Sequence, residues 1–347
     1  MNHFVDFDPR YAPQLVDLWN RAWVDRFPMR QELFVQNSIE DMNVLKEGSL
    51  IALDPWTEEA IGLVISKKLS AADPYAAMLE DEGYEHAGWI QVLLVDQRYR
   101  HRGLGSNLLS HAERALASNG ARKIILGGDP WHYFPAVPAD DDHDAVPKWF
   151  QKRGYQAGKT YYDLLCHRQH MTTVQPHTMM SHAAPSSNNR STWREPADRH
   201  PTYRLLRLDE KDRLLAFMQK VFPGRWTYEA YHYFLKGGKG REILVVEKDD
   251  NIVGFCRLHD DQSPFIAQNV SWAPLFPDRR LGGVGPLGLE LKARGAGYGL
   301  SMVSAALEEL FQRGIEYVVI DWTDLVEFYQ RLGCSLWRRY IYHEKIL

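Results

Sequence analysis

"WIQVLLVDQRYRHRGLGSNLLSHAERALA", residues 89–117, decides how the rest of the chain is read. An apolar run predicts a buried strand. Three positive charges and two glycines follow, and then comes an apolar repeat of helical period. Glycines at such a strand-to-helix junction let the backbone take positive φ and come close to a ligand. The free N–H groups and the dipole of the helix that follows favour an anion there. The expectation is a phosphate-binding turn, with Arg100 and Arg102 adding charge to it.

The turn occurs twice. Residues 285–303, "GPLGLELKARGAGYGLSMV", place Arg294, Gly297 and Gly299 where Arg100, Gly103 and Gly105 stand in the first copy. There is no G-K-[ST], so a nucleotide-binding P-loop is excluded. Neither copy has the G-x-G-x-x-G spacing, followed by an acid on the next strand, of a dinucleotide fold.

The surroundings of the turn repeat as well. Each half opens on a short strand ("HFVDFD"; "YRLLRL") and an amphipathic helix ("YAPQLVDLWNRAW"; "DEKDRLLAFMQKVF"). A second helix, two strands, the glycine turn with its long helix, and a closing strand–short helix–strand follow. The helices after the turns carry apolar stripes at Leu104, Leu108, Leu109, Ala112 and Leu116, and at Leu300, Val303, Leu307 and Leu310. The pattern predicts two tandem α/β (α+β) domains, each a mixed sheet, over residues 1–168 and 202–347. A polar linker at 169–201, rich in Ser, Asn, Pro and His, joins them. The four histidines from His167 to His182 lack ligand spacing, so no metal is expected.

Composition narrows the class further. The chain has 347 residues, 45% of them hydrophobic, with a net charge of −4. Nothing resembles the basic footprint of a nucleic-acid binder, and no run is long enough to span a membrane. Cys166, Cys256 and Cys334 are far apart and odd in number. No disulfide framework is expected from them, and a reducing cytoplasm is.

At the two turns the chain resembles the GNAT acetyltransferase superfamily, whose acetyl-CoA motif is [RQ]-x-x-G-x-[GA]. The closing segments "VPKWFQKRGYQAG" and "IDWTDLVEFYQRLGCSLW" agree with that family's last-strand region. The resemblance implies that acetyl-CoA is the co-substrate. It would be held by Leu94, Val95, Arg100, His101, Arg102, Gly103, Leu104, Gly105 and Ser106 in the first half. In the second half the set is Leu287, Gly288, Leu289, Arg294, Gly295, Ala296, Gly297, Tyr298 and Gly299. It also implies an N–H near Leu93–Val95 or Leu287–Leu289 for the acetyl carbonyl, and a tyrosine acid on the last short helix. That tyrosine is Tyr329 in the second half. The aligned residue of the first is Phe150, which has no hydroxyl, so the second half is expected to be catalytic.

Asp321, at the end of the apolar "YVVID", is the candidate base, with Glu290 in reserve. Asp321 could instead cap the next helix, a role open also to Thr323 and Asp324. Asp140, Asp141, Asp142 and Asp144 form an acidic patch that reads as a solvated loop or as an attractor of a cationic amine. The acceptor is expected to be a small primary amine. The tandem arrangement, "FPGRW" (222–226) and "DWT" (321–323) resemble bacterial tandem-GNAT proteins, including glucosamine/glucosaminide N-acetyltransferases, which implies an amino sugar. Another amine or antibiotic, or acyl-CoA binding without catalysis, remains open. Oligomeric state is not legible.

Overall fold

The computed structural model describes residues 3–139, 145–172 and 200–347. The acidic run and most of the polar linker lie outside the described residues. The first half contains β1 (His3–Asp6), α1 (Ala12–Trp23), α2 (Gln31–Phe34), β2 (Leu50–Leu53), β3 (Ala60–Lys68), α3 (Ala77–Leu79) and β4 (Ala87–Val95). It continues with α4 (Leu104–Ser118), β5 (Lys123–Leu126), β6 (Val137–Pro138), α5 (Ala145–Gln151) and β7 (Gln156–His167). The second half repeats the plan: β8 (Thr202–Leu205), α6 (Lys211–Val221), α7 (Arg225–Leu235), β9 (Ile243–Lys248) and β10 (Asn251–His259). Then come β11 (Leu281–Leu289), α8 (Tyr298–Gln312), β12 (Tyr317–Thr323), α9 (Val326–Gln330) and β13 (Ser335–Ile346).

The sheets of the two halves are continuous. Strand order is β1-β2-β3-β4-β5-β13-β7-β12-β11-β10-β9-β8, with β6 against β13. The closing strands have changed places: β13 pairs β5 of the first half and β7 pairs β12 of the second, and they pair each other between. Each half is thus completed by a strand from the other. Burial explains the tight union. Leu164 and Cys166 of β7 lie in the same core cluster as Val284, Met302, Leu307 and Ile320 of the second half. Pulling β7 away would expose that core to water.

The helices after the two turns bury their stripes as predicted, Leu104, Leu108, Leu109, Ala112 and Leu116 in one and Val303, Leu307 and Leu310 in the other. Leu300 is only partly buried.

The cysteine expectation is overturned. Cys166 and Cys334 form a disulfide across a sequence separation of 168. Distance along the chain hid the pair, because only the strand exchange brings β7 beside the start of β13. The argument for a reducing compartment falls with it. What stands is that no described helix is long and apolar enough to cross a membrane. The cross-link closes a long loop, so Cys334→Ser in oxidised protein should cost about 2–4 kcal/mol of stability. Denaturant titration with and without reductant checks this: reduction should bring the wild type down to the variant.

Candidate active site

The two glycine turns have the same backbone. Gly103 and Gly297 have φ of 79° and 80°, and each sits at the N-terminus of its long helix in the left-handed region that only glycine enters cheaply. Arg100 and Arg294 each donate from Nε to the carbonyl that ends the preceding strand, Val95 O and Leu289 O, at 3.0 Å in both cases. The arginine therefore braces strand to turn, and its Nη groups remain for a ligand. A Cβ built on Gly103, Gly295 or Gly297 would meet nothing within 4 Å, so space lies open over the helix N-termini. Gly105 and Gly299 act differently, since a Cβ there would touch Val95 and Trp149, or Leu289 and Phe328. They let the long helix approach the strand end and the short closing helix. These features fit a pyrophosphate in both halves.

Beyond the turns, two parallel pairs splay. β4 and β5 are paired from Ala87↔Lys123 to Ile90↔Leu126, and β11 and β12 from Leu281↔Tyr317 to Val284↔Ile320. β4 and β11 then run on to Val95 and Leu289 with that edge open. The residues named for the acetyl carbonyl, Leu93–Val95 and Leu287–Leu289, lie on these open edges.

The two splays hold different chemistry. In the second half Asp321 follows Ile320, the last paired residue, and its Oδ1 is 3.5 Å from where a Cβ on Gly285 would lie. Its carboxyl is thus inside the opening. Burial, then the nearby charges of Asp163 and Glu229, push its pKa up to about 7, with Asn269 pulling the other way. Asp321 does not cap the next helix: α9 starts after Leu325 with no side-chain cap, and Thr323 Oγ1 accepts from Leu325 N at 3.0 Å in the turn before it. Tyr329 on α9 is 5% exposed and packs in the core beneath the splay. Burial raises its pKa, as do the proximity of Cys256 and Asp321, so its hydroxyl keeps its proton at any working pH. The reserve base Glu290 instead begins the turn beyond the strand end, its N–H donating to Val253 O.

In the first half the residue after the last paired position, Leu126, is Gly127. Phe150 stands where the second half has Tyr329. Among the described residues that opening is lined by Val92, Leu94, Leu126, Phe134, Val137 and Phe150, without a titratable group. Asp129 is not free for proton transfer, because Lys67 Nζ lies 2.7 Å from it and 2.7 Å from Asp41, all fully buried. Tyr133 is likewise buried, bonded to Ser38 at 2.7 Å. Among its described residues the first half thus offers a glycine turn and an apolar slot but no acid–base pair. Among the described residues there is no cluster of His, Cys, Asp or Glu fit to hold a metal.

A small cavity of about 10 Å³, lined in part by groups whose charges reach Asp321, lies between the halves. Its lining includes Pro130 and Trp131 from the first half and Arg225, Glu229, Arg257 and Phe265 from the second. Arg225 donates to Gly128 O at 2.6 Å and Asp129 O at 3.0 Å, ion-pairs with Glu229 at 2.8 Å, and lies over the Trp322 ring. It ties the first half's loop to the second half's site. Arg257 is buried, and its Nε and Nη2 have no hydrogen-bond partner. Unpaired buried donors are costly to keep and mark a place where a ligand oxygen fits. Arg225 lies in "FPGRW", a segment noted only for its resemblance, and nothing in the sequence singles it out. Glu229, Arg257, Asn269 and Asp163 carried no signal, since each comes to the splay from a different element.

Comparison with known proteins agrees with this geometry. The Acetyltransferase (GNAT) family model matches residues 12–138 and again 210–334. No curated protein matches the chain. Among solved structures, the glucosamine N-acetyltransferase region of a fungal multi-domain β-N-acetylglucosaminidase superposes with TM-score 0.81 at 21% identity. The match covers 99% of this chain, which spans only 38% of that one. An N-acetyltransferase from Sphaerobacter thermophilus gives 0.65 at 15% identity, covering 99% and 95% of the two chains. A tandem GNAT protein from the clavulanic acid biosynthesis pathway gives 0.63 at 13%, covering 100% and 98%. At these identities the likeness is one of fold. With two matched copies covering most of its length, the chain belongs to the Acetyltransferase (GNAT) family.

Proposed function

We propose that the second half catalyses direct transfer of an acetyl group from acetyl-CoA to a primary amine, with Asp321 as base and Tyr329 as acid. The observation that carries this reading is the contrast between the splays. One holds a carboxyl and a phenol, and the matching positions of the other are Gly127 and Phe150. The turn at Arg294–Gly299 would hold the pyrophosphate, and the open edge at Leu287–Leu289 would offer an N–H to the acetyl carbonyl as it becomes an oxyanion. Asp321, poised near neutrality, takes a proton from the ammonium form of the acceptor, directly or through water. The amine attacks the thioester carbonyl. As the tetrahedral species collapses the C–S bond breaks, the departing thiolate takes the proton of Tyr329, and the nitrogen gives up its second proton, which restores the phenol through solvent, while Asp321 releases its own proton to water.

The acceptor we propose is an amino sugar such as glucosamine. The groups near Asp321 support this with the aromatic side chains of Trp131 and Phe265 and the unpaired donors of Arg257 for hydroxyl oxygens. The test is acetylation of an amine panel followed by mass spectrometry. Turnover of another amine with none of glucosamine or chitosan oligomers sinks the sugar assignment; acetyl-CoA binding with no turnover on any amine sinks the enzyme. For the acid, Tyr329→Phe should lower kcat by about 10–100-fold with the acetyl-CoA dissociation constant nearly unchanged. Steady-state kinetics beside calorimetry checks it.

A further inference from the structure

The strand that the first half lends to the second brings more than packing. β12 and β7 change register between Ile320 and Thr323, so Asp321 and Trp322 form a bulge facing β7. Trp322 has φ 48°, a left-handed conformation that a bulky residue adopts only under constraint. The constraint is visible: the Trp322 N–H donates to Asp163 Oδ1 at 3.1 Å. Asp163 lies on β7, is 4% exposed, and accepts at its other oxygen from the Tyr340 hydroxyl at 2.7 Å. Tyr340 belongs to β13, the strand given in exchange. Bulges re-aim the side chains around them. Here the residue re-aimed is Asp321, which leaves the ladder and turns its carboxyl toward Gly285.

We propose that Asp163 is a positioning residue for the Asp321 base: it pins the bulge that aims Asp321 into the splay and sets a negative charge beside it. The inference rests on Asp321 being the base of the proposed transfer. It also makes the catalytic centre a joint product of both halves, because the second half cannot supply Asp163 itself.

Other groups around Asp321 do not replace this one. Glu229 on α7 acts in the same direction on its pKa, more weakly. Arg257 on β10 is close enough to feel Asp321, and Tyr329 on α9 and Tyr340 on β13 face it as neutral phenols. Asn269 offers an amide. Asp163 itself faces Tyr340, the Trp322 N–H and, more distantly, Arg338. Burial raises both carboxyls, and a negative charge on Asp163 holds the proton on Asp321 to higher pH.

The experiment separates the two roles. Asp163→Asn keeps an oxygen for the Trp322 N–H and removes the charge. The acid limb of its kcat/KM profile should move down by about one pH unit. Asp163→Ala removes the pin as well and should lower kcat about 100-fold. In both variants acetyl-CoA affinity should stay within about twofold, a pattern that a purely structural role would not give. If the alanine variant does not fold, the asparagine profile decides alone. Unchanged pH limbs and kcat in folded variants would overturn the inference. A second readout does not depend on turnover. In aspartate carbon-13-labelled protein the Asp321 carboxyl resonance, assigned with Asp321→Asn, should titrate lower in Asp163→Asn; if it does not move, the inference fails even where the transfer reading holds. If it moves in a protein that acetylates no amine, the placement stands and the transfer reading is what fails.

Discussion

Asp321→Asn is expected to lower turnover about 1,000-fold at pH 8 while leaving acetyl-CoA binding within about twofold. The amide has the carboxyl's shape but cannot accept the ammonium proton. The glycine turn lies beyond the end of β11, away from Gly285 and Asp321, so binding should not notice the change. In the wild type, kcat/KM should rise with pH through about 7, the point to which burial and its acidic neighbours push Asp321. The variant's residual rate should lack that limb.

The same substitution has a stability signature of fixed sign. An unfolded aspartate ionises near pH 3.9, and the folded Asp321 near 7. Between these values the folded state holds the extra proton, so stability falls as pH rises through the window, and the loss is complete above the folded pKa. Asp321→Asn removes this penalty. It should melt higher than the wild type at pH 8, and the difference should shrink toward pH 4. A turnover loss without the pH-dependent gain would mean that Asp321 is not the buried group that titrates near neutrality. A wild-type turnover rate in the asparagine variant would remove Asp321 from the mechanism.

The second large effect is expected at the glycine turns. Arg294→Glu should weaken acetyl-CoA binding in the second half by at least about 100-fold and abolish turnover. It cuts the brace to Leu289 O and places a negative charge where a pyrophosphate would rest. Arg100→Glu breaks the matching brace to Val95 O in a half whose described residues hold no acid–base pair, so turnover should survive it within a few fold. Calorimetric titration of acetyl-CoA, with turnover followed in parallel, distinguishes the cases. Loss of turnover with Arg294→Glu alone places the chemistry in the second half. Turnover that instead follows Arg100 overturns the assignment of Asp321 and Tyr329.

The sequence by itself determined the repeat, the two glycine turns and the contrast between Tyr329 and Phe150. These are local properties. A strand followed by R-x-x-G-x-G and a helix is written in consecutive residues, because glycine conformation and helix period depend on near neighbours. Asp321 was legible for a similar reason, since a carboxylate ending an apolar strand stands out in any chain. What only the tertiary structure decided is everything that passes between the halves. The exchange of β7 and β13 joins strands far apart in the chain, and backbone pairing leaves no residue code for which half a closing strand completes. The Cys166–Cys334 bond follows from that exchange, so counting cysteines missed it. Asp163, Glu229 and Arg257 each sit in an ordinary-looking segment. Their effect on Asp321 comes from shared burial, where charges a few ångströms apart are poorly screened, and that proximity is set by the packed sheet rather than by order along the chain.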